Sequence, residues 1–114
     1  MHLERKDLGG DRLVRVCEER LDAVSAIRFK DRLRELAGEG PGRVILDMGQ
    51  VEFLDSSGLG AVVAAMKLLG PDRRLELAGL TPPVERVFRL TRMDGVFVIH
   101  ADAEAAERSV RDAG

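Results

Sequence analysis

Strand-like and helix-like segments alternate along this chain, and the alternation strongly limits how it can fold. Residues 44–46 (Val-Ile-Leu) form a continuous apolar run, typical of a strand buried on both faces of a parallel sheet. Over residues 26–37, apolar side chains recur every three or four positions, which predicts an amphipathic helix. Repeated strand–helix–strand order produces right-handed crossovers and a mostly parallel sheet. We therefore predict an α/β fold.

The remaining segments complete this architecture. Residues 9–11 (Gly-Gly-Asp) separate two β-type runs, which predicts an N-terminal hairpin. Helices are predicted after Asp22, over residues 59–69, after Thr81 and after Asp102, with the three named residues as caps. The 114 residues suit one domain, so we expect a single domain over residues 1–114, a sheet begun by the hairpin and about four helices. The other predicted strands are 13–17, 43–48, 51–54, 75–78 and 96–99.

Composition excludes several classes of function. Lysine and arginine number 18 against 20 acidic residues, a net charge of −2, which argues against a nucleic-acid or anionic-membrane binder. The longest uncharged stretch, residues 56–66, is too short for a membrane span of ~20 residues, and the charged start of the chain is no secretory signal. We therefore expect a cytoplasmic protein with neither nucleic acid nor membrane as a partner.

The sequence offers few residues for metal or redox chemistry. With one cysteine, Cys17, and two histidines, His2 and His100, it predicts neither a cysteine-based zinc site nor a histidine-rich cluster. Cys17 lies in an apolar strand run and is interpreted as a small core residue. We expect no metal site and no cofactor.

The most informative segment is Asp55-Ser56-Ser57-Gly58, between a strand pattern and a helix pattern with no charge before Lys67. At a helix N-terminus, unpaired N–H groups and the helix dipole favour negative charge. A phosphate on an exposed serine there would be tolerated and would add roughly −1.5 to −2 charges. The simpler interpretation is that one of the polar residues only caps the helix. Both interpretations stay open.

The helix that follows has an unusual outer face. A surface helix normally carries polar side chains opposite its core-facing stripe. Here that side is small and apolar, which suits a transient partner unless another element of the domain covers it. The residues predicted to face the sheet are Leu59, Val62, Val63, Met66 and Leu69. Those predicted to face outward are Gly60, Ala61, Ala64, Ala65 and Leu68.

At this point the sequence resembles the STAS domain family (sulfate transporter and anti-sigma factor antagonist). The resemblance covers nearly the whole chain, and its most specific block is Asp-Ser-Ser-Gly-Leu-Gly between strand and helix. The segments that carry it are Leu46-Asp47, residues 51–60 (VEFLDSSGLG), residues 20–23 (RLDA), residues 81–88 (TPPVERVF) and residues 95–97 (GVF).

The resemblance implies a function and a mechanism. In stand-alone bacterial members the serine after the aspartate, which matches Ser56, is phosphorylated by an anti-sigma factor that is also a serine kinase of the GHKL type. The unphosphorylated form binds that kinase and releases a sigma factor, and a PP2C-type phosphatase reverses the modification. Ser57 is the second choice and the expected capping hydroxyl. The resemblance further implies a monomer or weak dimer that is not an enzyme.

It also implies a set of site residues around the serine. Asp22 matches an acidic family position near the phosphosite, whereas Glu19 stands where the family often has glycine, which leaves the identity of the kinase open. We expect Glu19, Asp22, Asp47 and Asp55 to surround Ser56 with negative charge, so that a phosphate adds repulsion. The implied partner-binding residues are Asp22, Asp55, Ser57, Gly58, Gly60, Ala61 and Ala64.

The same residues argue against several enzyme classes. Gly58-Leu59-Gly60 is only part of a dinucleotide fingerprint, and no glycine stands two positions before either serine, as a serine hydrolase requires. Asp47 and Asp55 lack the partners of a receiver-type phosphoacceptor site. Within the family, the alternative is a subunit of a stress-sensing complex or of an ABC-type lipid transporter that binds its partner through the 57–69 helix.

Overall fold

The elements of the fold follow the predicted alternation closely. The computed structural model describes residues 1–39 and 42–113. The strands are β1 (Leu3–Leu8), β2 (Asp11–Val16), β3 (Arg20–Leu21), β4 (Val44–Asp47), β5 (Phe53–Leu54), β6 (Leu75–Ala78) and β7 (Ile99–His100). The helices are α1 (Ala26–Ala37), α2 (Ser56–Leu68), α3 (Pro82–Leu90) and α4 (Ala103–Ala113), with a 3-10 turn over Met93–Gly95.

The main sheet has five strands in the order β1-β2-β4-β6-β7. Strands β1 and β2 form an antiparallel hairpin, and each later neighbour is parallel. The hairpin turn passes through Gly9, whose φ of +66° is a conformation that favours glycine. These observations confirm the α/β fold, the N-terminal hairpin and the four helices.

The sheet is covered on both faces, which explains the uninterrupted apolar run of β4. Val44 and Leu46 pack into the main core, which α1, α2 and α3 share on one face. Ile45 points to the other face, where it joins a smaller cluster with Ala106 of α4. All four residues of β4 are buried. A strand in this position has no solvent-facing side on which polar residues would alternate.

A small second sheet builds the surface where the site lies. Strands β3 and β5 pair in parallel, with Arg20 opposite Phe53 and Leu21 opposite Leu54. Both strands lead directly into helices, because α1 follows β3 and α2 follows β5. The Thr81 hydroxyl donates to the Val51 carbonyl at 2.7 Å, which ties the start of α3 to the segment before β5. The small sheet therefore brings the starts of α1 and α2 together.

Several predicted boundaries were wrong. Helix α2 starts at Ser56 rather than residue 59, and β7 covers Ile99–His100 rather than residues 96–99. The Val96 N–H donates to the Met93 carbonyl at 3.0 Å, which makes Val96 part of the preceding turn. Thr81 stands at the N-cap of α3, but its hydroxyl makes no cap hydrogen bond, since it is committed to Val51. None of the described helices is long and apolar enough to cross a membrane.

Candidate functional site

The start of α2 is capped by Asp55, not by a serine. The Asp55 backbone is extended, with φ −100° and ψ −175°, and its side chain accepts the Gly58 N–H at 2.8 Å. The Asp55 carbonyl accepts the first intrahelical bond, from Leu59 at 2.9 Å. Ser57, expected from the family resemblance to be the capping hydroxyl, therefore has no such role. The cap and the candidate phosphosite are separate residues.

Ser56 and Ser57 occupy the first turn of α2 with exposed side chains. Within the described part of the chain, neither hydroxyl has a hydrogen-bond partner. The first N–H groups of an α-helix have no intrahelical acceptor and carry the positive end of the helix dipole. An anion attached here meets free donors and favourable electrostatics, and adding it breaks no existing side-chain bond.

Gly58 is buried rather than available to a partner. A Cβ at this position would overlap the Leu21 carbonyl oxygen and lie 2.8 Å from Cδ1 of Leu54. The lack of a side chain lets the first turn of α2 sit directly against β3 and β5. Gly58 is thus a packing residue, which corrects its expected place among the partner contacts.

The expected outer face of α2 is rotated relative to the prediction. Ala61 and Ala65 are only 3% and 2% exposed, because α1 packs along this side of α2. Small side chains allow such a close helix–helix approach. Four of the exposed or half-exposed residues follow one another three or four positions apart, and we call them the α2 outer stripe: Ser57, Gly60, Ala64 and Leu68. The exposed Lys67 lies next to Leu68 at the end of the helix. A Cβ at Gly60 would meet nothing within 4 Å, so this stripe is open.

Asp22 organises the start of α1 without being its N-cap. Its Oδ1 accepts the N–H groups of Val24 at 3.1 Å and Ser25 at 3.2 Å, and Ser25 itself is the N-cap residue. The Ser25 N–H bond, with a smaller contribution from Arg20, lowers the pKa of Asp22 below its ordinary value. The Asp22 carboxylate is therefore ionised and held in a fixed turn.

The acidic surroundings of Ser56 are partly neutralised. Because Leu21 lies opposite Leu54, the next residues Asp22 and Asp55 stand at the ends of adjoining strands. Arg20 lies beside them: its Nε is 3.3 Å from Asp22 Oδ2, and its guanidinium lies 4.1 Å from the centre of the Phe53 ring.

The other two acids expected around Ser56 differ: the carboxylate of Asp47 is engaged by hydrogen bonds, whereas Glu19 is exposed beside the start of β5. Asp47, at the end of β4, accepts from Arg15 at 3.1 Å and from the Gly49 N–H at 2.9 Å. The Glu19 carbonyl accepts from the backbone N–H groups of Glu52 and Phe53, so the backbone of Glu19 flanks the start of β5. Two of the four expected carboxylates are therefore paired with arginines, Asp47 with Arg15 and Asp22 with Arg20, while Asp55 caps α2.

Sequence reasoning missed three exposed apolar residues at this end of the fold. Val24 is 88% exposed, Ile27 is 66% exposed and Phe53 is 40% exposed. Val24 and Ile27 flank the start of α1, and Phe53 lies on β5 two residues before the cap of α2. The sequence pattern could have indicated the exposure of Ile27, which does not belong to the buried stripe of α1, but not that of Val24, which precedes the helix in a turn. Together they extend the apolar surface beyond α2.

His100 and Cys17, whose side-chain types often act in hydrolytic enzymes, form hydrogen bonds away from the two serines. His100 Nε2 lies 2.8 Å from Oε1 of the buried Glu76, and no histidine contacts either serine within the described residues. Cys17 is half-buried rather than fully in the core, and its thiol donates to Glu4 Oε1 at 3.1 Å. Desolvation, with that hydrogen bond, raises the pKa of Cys17 to about 11. The thiol is therefore protonated near neutral pH.

Comparison with known proteins agrees with the resemblance seen in the sequence. The STAS domain family matches residues 3–106. BtrV of Bordetella bronchiseptica, provisionally named an anti-sigma factor antagonist, is 28% identical over 94 residues, which are 82% of this chain and 81% of BtrV.

Solved structures share the fold. An anti-sigma factor antagonist from Mycobacterium paratuberculosis superposes with a TM-score of 0.84 at 25% identity, over 96% of this chain and 93% of that one. SpoIIAA of Bacillus is known in an unphosphorylated form, with a TM-score of 0.71, 22% identity and coverage of 97% of each chain. Its phosphorylated form gives a TM-score of 0.65 at 20% identity, over 96% of this chain and 99% of that one.

Proposed function

Since the chain belongs to the STAS domain family, we propose that it is an anti-sigma factor antagonist controlled by phosphorylation of Ser56. The unphosphorylated protein binds an anti-sigma factor that is also a serine kinase of the GHKL type, and so releases a sigma factor. A PP2C-type phosphatase restores the active form. The protein acts in the cytoplasm as a binding module rather than an enzyme, as a monomer or weak dimer.

One observation carries this proposal: the Ser56 hydroxyl is exposed, and no described residue bonds it, at the start of a helix that Asp55 caps independently. A kinase can reach such a hydroxyl without unfolding the helix, and a phosphatase can reach the product. SpoIIAA, which shares the fold, is known in phosphorylated and unphosphorylated forms. The phosphorylated form of SpoIIAA supports the proposal that this fold can carry a phosphate.

The surface around Ser56 supports the binding half of the proposal. The α2 outer stripe and the exposed Val24, Ile27 and Phe53 offer apolar contact area. Burying such area is the main favourable term in protein association. Ser56 stands at the edge of this surface, next to Asp55 and beside Asp22, so the surface can be altered at one position.

Phosphorylation would act on this surface through charge and size. A phosphate adds roughly −1.5 to −2 charges, and repulsion from Asp22 and Asp55 acts within a screening length of ~8 Å at physiological salt. The helix N-terminus stabilises the anion within the protein, so the fold persists while the docking surface changes. The partner would then meet a hydrated anion in place of a small hydroxyl. We expect its affinity to fall by at least about tenfold, or 1.4 kcal/mol.

The modification step can be tested directly. A GHKL-type anti-sigma factor kinase from the same organism is incubated with the protein and ATP, and the modified residue is located by mass spectrometry. We expect one phosphate, on Ser56, with Ser57→Ala modified normally and Ser56→Ala not modified. Phosphate on Ser57 alone would overturn the assignment of Ser56. Binding without any phosphate transfer would favour the alternative of an unregulated subunit.

A further inference from the structure

A group of potential metal ligands lies on the N-terminal hairpin. Strand β1 pairs with β2 so that Leu3 is opposite Val16 and Glu4 is opposite Arg15. The Cys17 N–H donates to the His2 carbonyl at 3.0 Å, which continues the same pairing by one residue. Side chains alternate between faces along a strand, so His2, Glu4 and Cys17 share the face opposite to the buried Leu3 and Val16.

The ligand atoms of these three residues converge. One imidazole nitrogen of His2, one carboxylate oxygen of Glu4 and the Cys17 sulfur all lie within 4.8 Å of one another. The sulfur and the carboxylate oxygen are only 3.1 Å apart. Zinc–ligand bonds of about 2.0–2.3 Å in a tetrahedron place ligand atoms roughly 3.5 Å apart. His2 and Glu4 are exposed, so small side-chain rotations reach that spacing.

We propose that His2, Glu4 and Cys17 form a binding site for Zn²⁺. Imidazole nitrogen, thiolate sulfur and carboxylate oxygen are the three ligand types that zinc uses in proteins. Three protein ligands leave a fourth tetrahedral position for a water molecule. Coordination replaces the thiol proton, which passes to the buffer, so the bound thiolate and the Glu4 carboxylate balance the charge of the ion.

The charges around the three residues are of both signs, with an acid and an arginine nearby. Glu18 lies next to the site, because its carboxylate accepts the His2 backbone N–H at 2.9 Å. Arg15, opposite Glu4 on this face of the hairpin, interacts electrostatically with Glu4 and Cys17 as well as binding Asp47 at 3.1 Å, so a bound ion would have to displace its influence on these two ligands. Counting cysteines and histidines separately did not point to this site, because the hairpin combines one of each with a carboxylate.

A bound ion would link β1 to β2 across the edge of the main sheet. Zinc binding does not depend on the proposed function of Ser56, since none of the three ligands belongs to the surface around Ser56. Binding therefore stabilises the folded chain by an amount that grows with the logarithm of zinc concentration above the dissociation constant, while phosphorylation of Ser56 is unaffected.

The test is calorimetric titration of the whole, tag-free chain with Zn²⁺, followed by Co²⁺ as a spectroscopic probe. We expect one ion per chain, and a sulfur-to-cobalt charge-transfer band in the near ultraviolet. Cys17→Ser and His2→Gln should each weaken binding by at least about tenfold, whereas Glu52→Gln, at an exposed acid outside the site, should not. Thermal unfolding of each variant without metal checks that it is folded. No saturable binding, or an unchanged isotherm for folded Cys17→Ser, would overturn the proposal.

Discussion

The Asp55 carboxylate accepts the Gly58 backbone N–H at 2.8 Å, so helix α2 is capped without the help of either serine that follows. This hydrogen bond puts the helix cap on a residue other than the proposed phosphosite. Asp55 fixes where α2 begins, and Ser56 is left free to be modified. A chain in which Ser56 itself capped the helix would lose that cap on phosphorylation.

The first prediction concerns this cap. Asp55→Ala should lower the free energy of unfolding by about 1 kcal/mol, because the Gly58 N–H loses its acceptor. Asp55→Asn should retain most of the stability. Ser56→Ala is the matched control and should change it by less than about 0.5 kcal/mol. Urea denaturation measures all three, and an equal loss in Asp55→Ala and Ser56→Ala would contradict the assignment of the cap.

The second prediction compares two glycines of the same helix. Gly58→Ala should destabilise the protein by several kcal/mol or prevent folding, because its Cβ would overlap the Leu21 carbonyl. Gly60→Ala should raise the free energy of unfolding by about 0.5–1 kcal/mol, because alanine favours helix and the added Cβ meets nothing. Thermal and urea unfolding give the comparison. Similar changes in the free energy of unfolding at the two positions would contradict the close packing of Gly58 against Leu21 of β3.

The third prediction extends the docking surface to the start of α1. The double substitution Val24→Ser with Ile27→Ser should weaken binding to the anti-sigma factor by about tenfold, since exposed apolar contacts are lost. Leu90→Ser is the control, because Leu90 is equally apolar and is 74% exposed. It lies at the C-terminal end of α3, whereas Thr81, at the N-terminal end of that helix, is the residue that bonds Val51. Calorimetry would measure both affinities. If Leu90→Ser weakened binding as much, the partner would use another face.

The fourth prediction follows from the lowered pKa of Asp22. A carboxyl whose pKa is lower in the folded state stabilises the fold above its unfolded pKa of about 3.9. That contribution is lost as the pH falls through the lower folded value. Asp22→Asn should therefore be less stable than the wild type at pH 7, with the difference shrinking below about pH 4. Urea unfolding at several pH values tests this, and a difference independent of pH would contradict it.

Most of the fold could be predicted because its signals are local. The glycines at residues 9 and 10 indicated the hairpin, and the apolar run at 44–46 indicated a strand covered on both faces. The short pairing of β3 with β5 could not be predicted, because two-residue strands carry no periodic pattern. It depends on main-chain bonds between segments distant in sequence, such as that from Phe53 to Glu19.

The site could be predicted only in part, for a related reason. The exposed position of Ser56 follows from the motif and the helix that succeeds it. The orientation of α2 does not, because a helix of small apolar residues has no polar face to show which side meets solvent. Packing against α1 decided that question, and it buried Ala61 and Ala65. The exposure of Val24 could not be predicted either, because Val24 lies in a turn with no periodic pattern, where its N–H donates to Asp22.

The central claim is that a phosphate on Ser56 switches partner binding. The most direct measurement is the affinity of the anti-sigma factor kinase for the unmodified protein and for protein stoichiometrically phosphorylated on Ser56, by calorimetry at one salt concentration. We predict that phosphorylation weakens binding by at least about tenfold, while circular dichroism shows both forms equally folded. Equal affinity of the two folded forms would contradict the account.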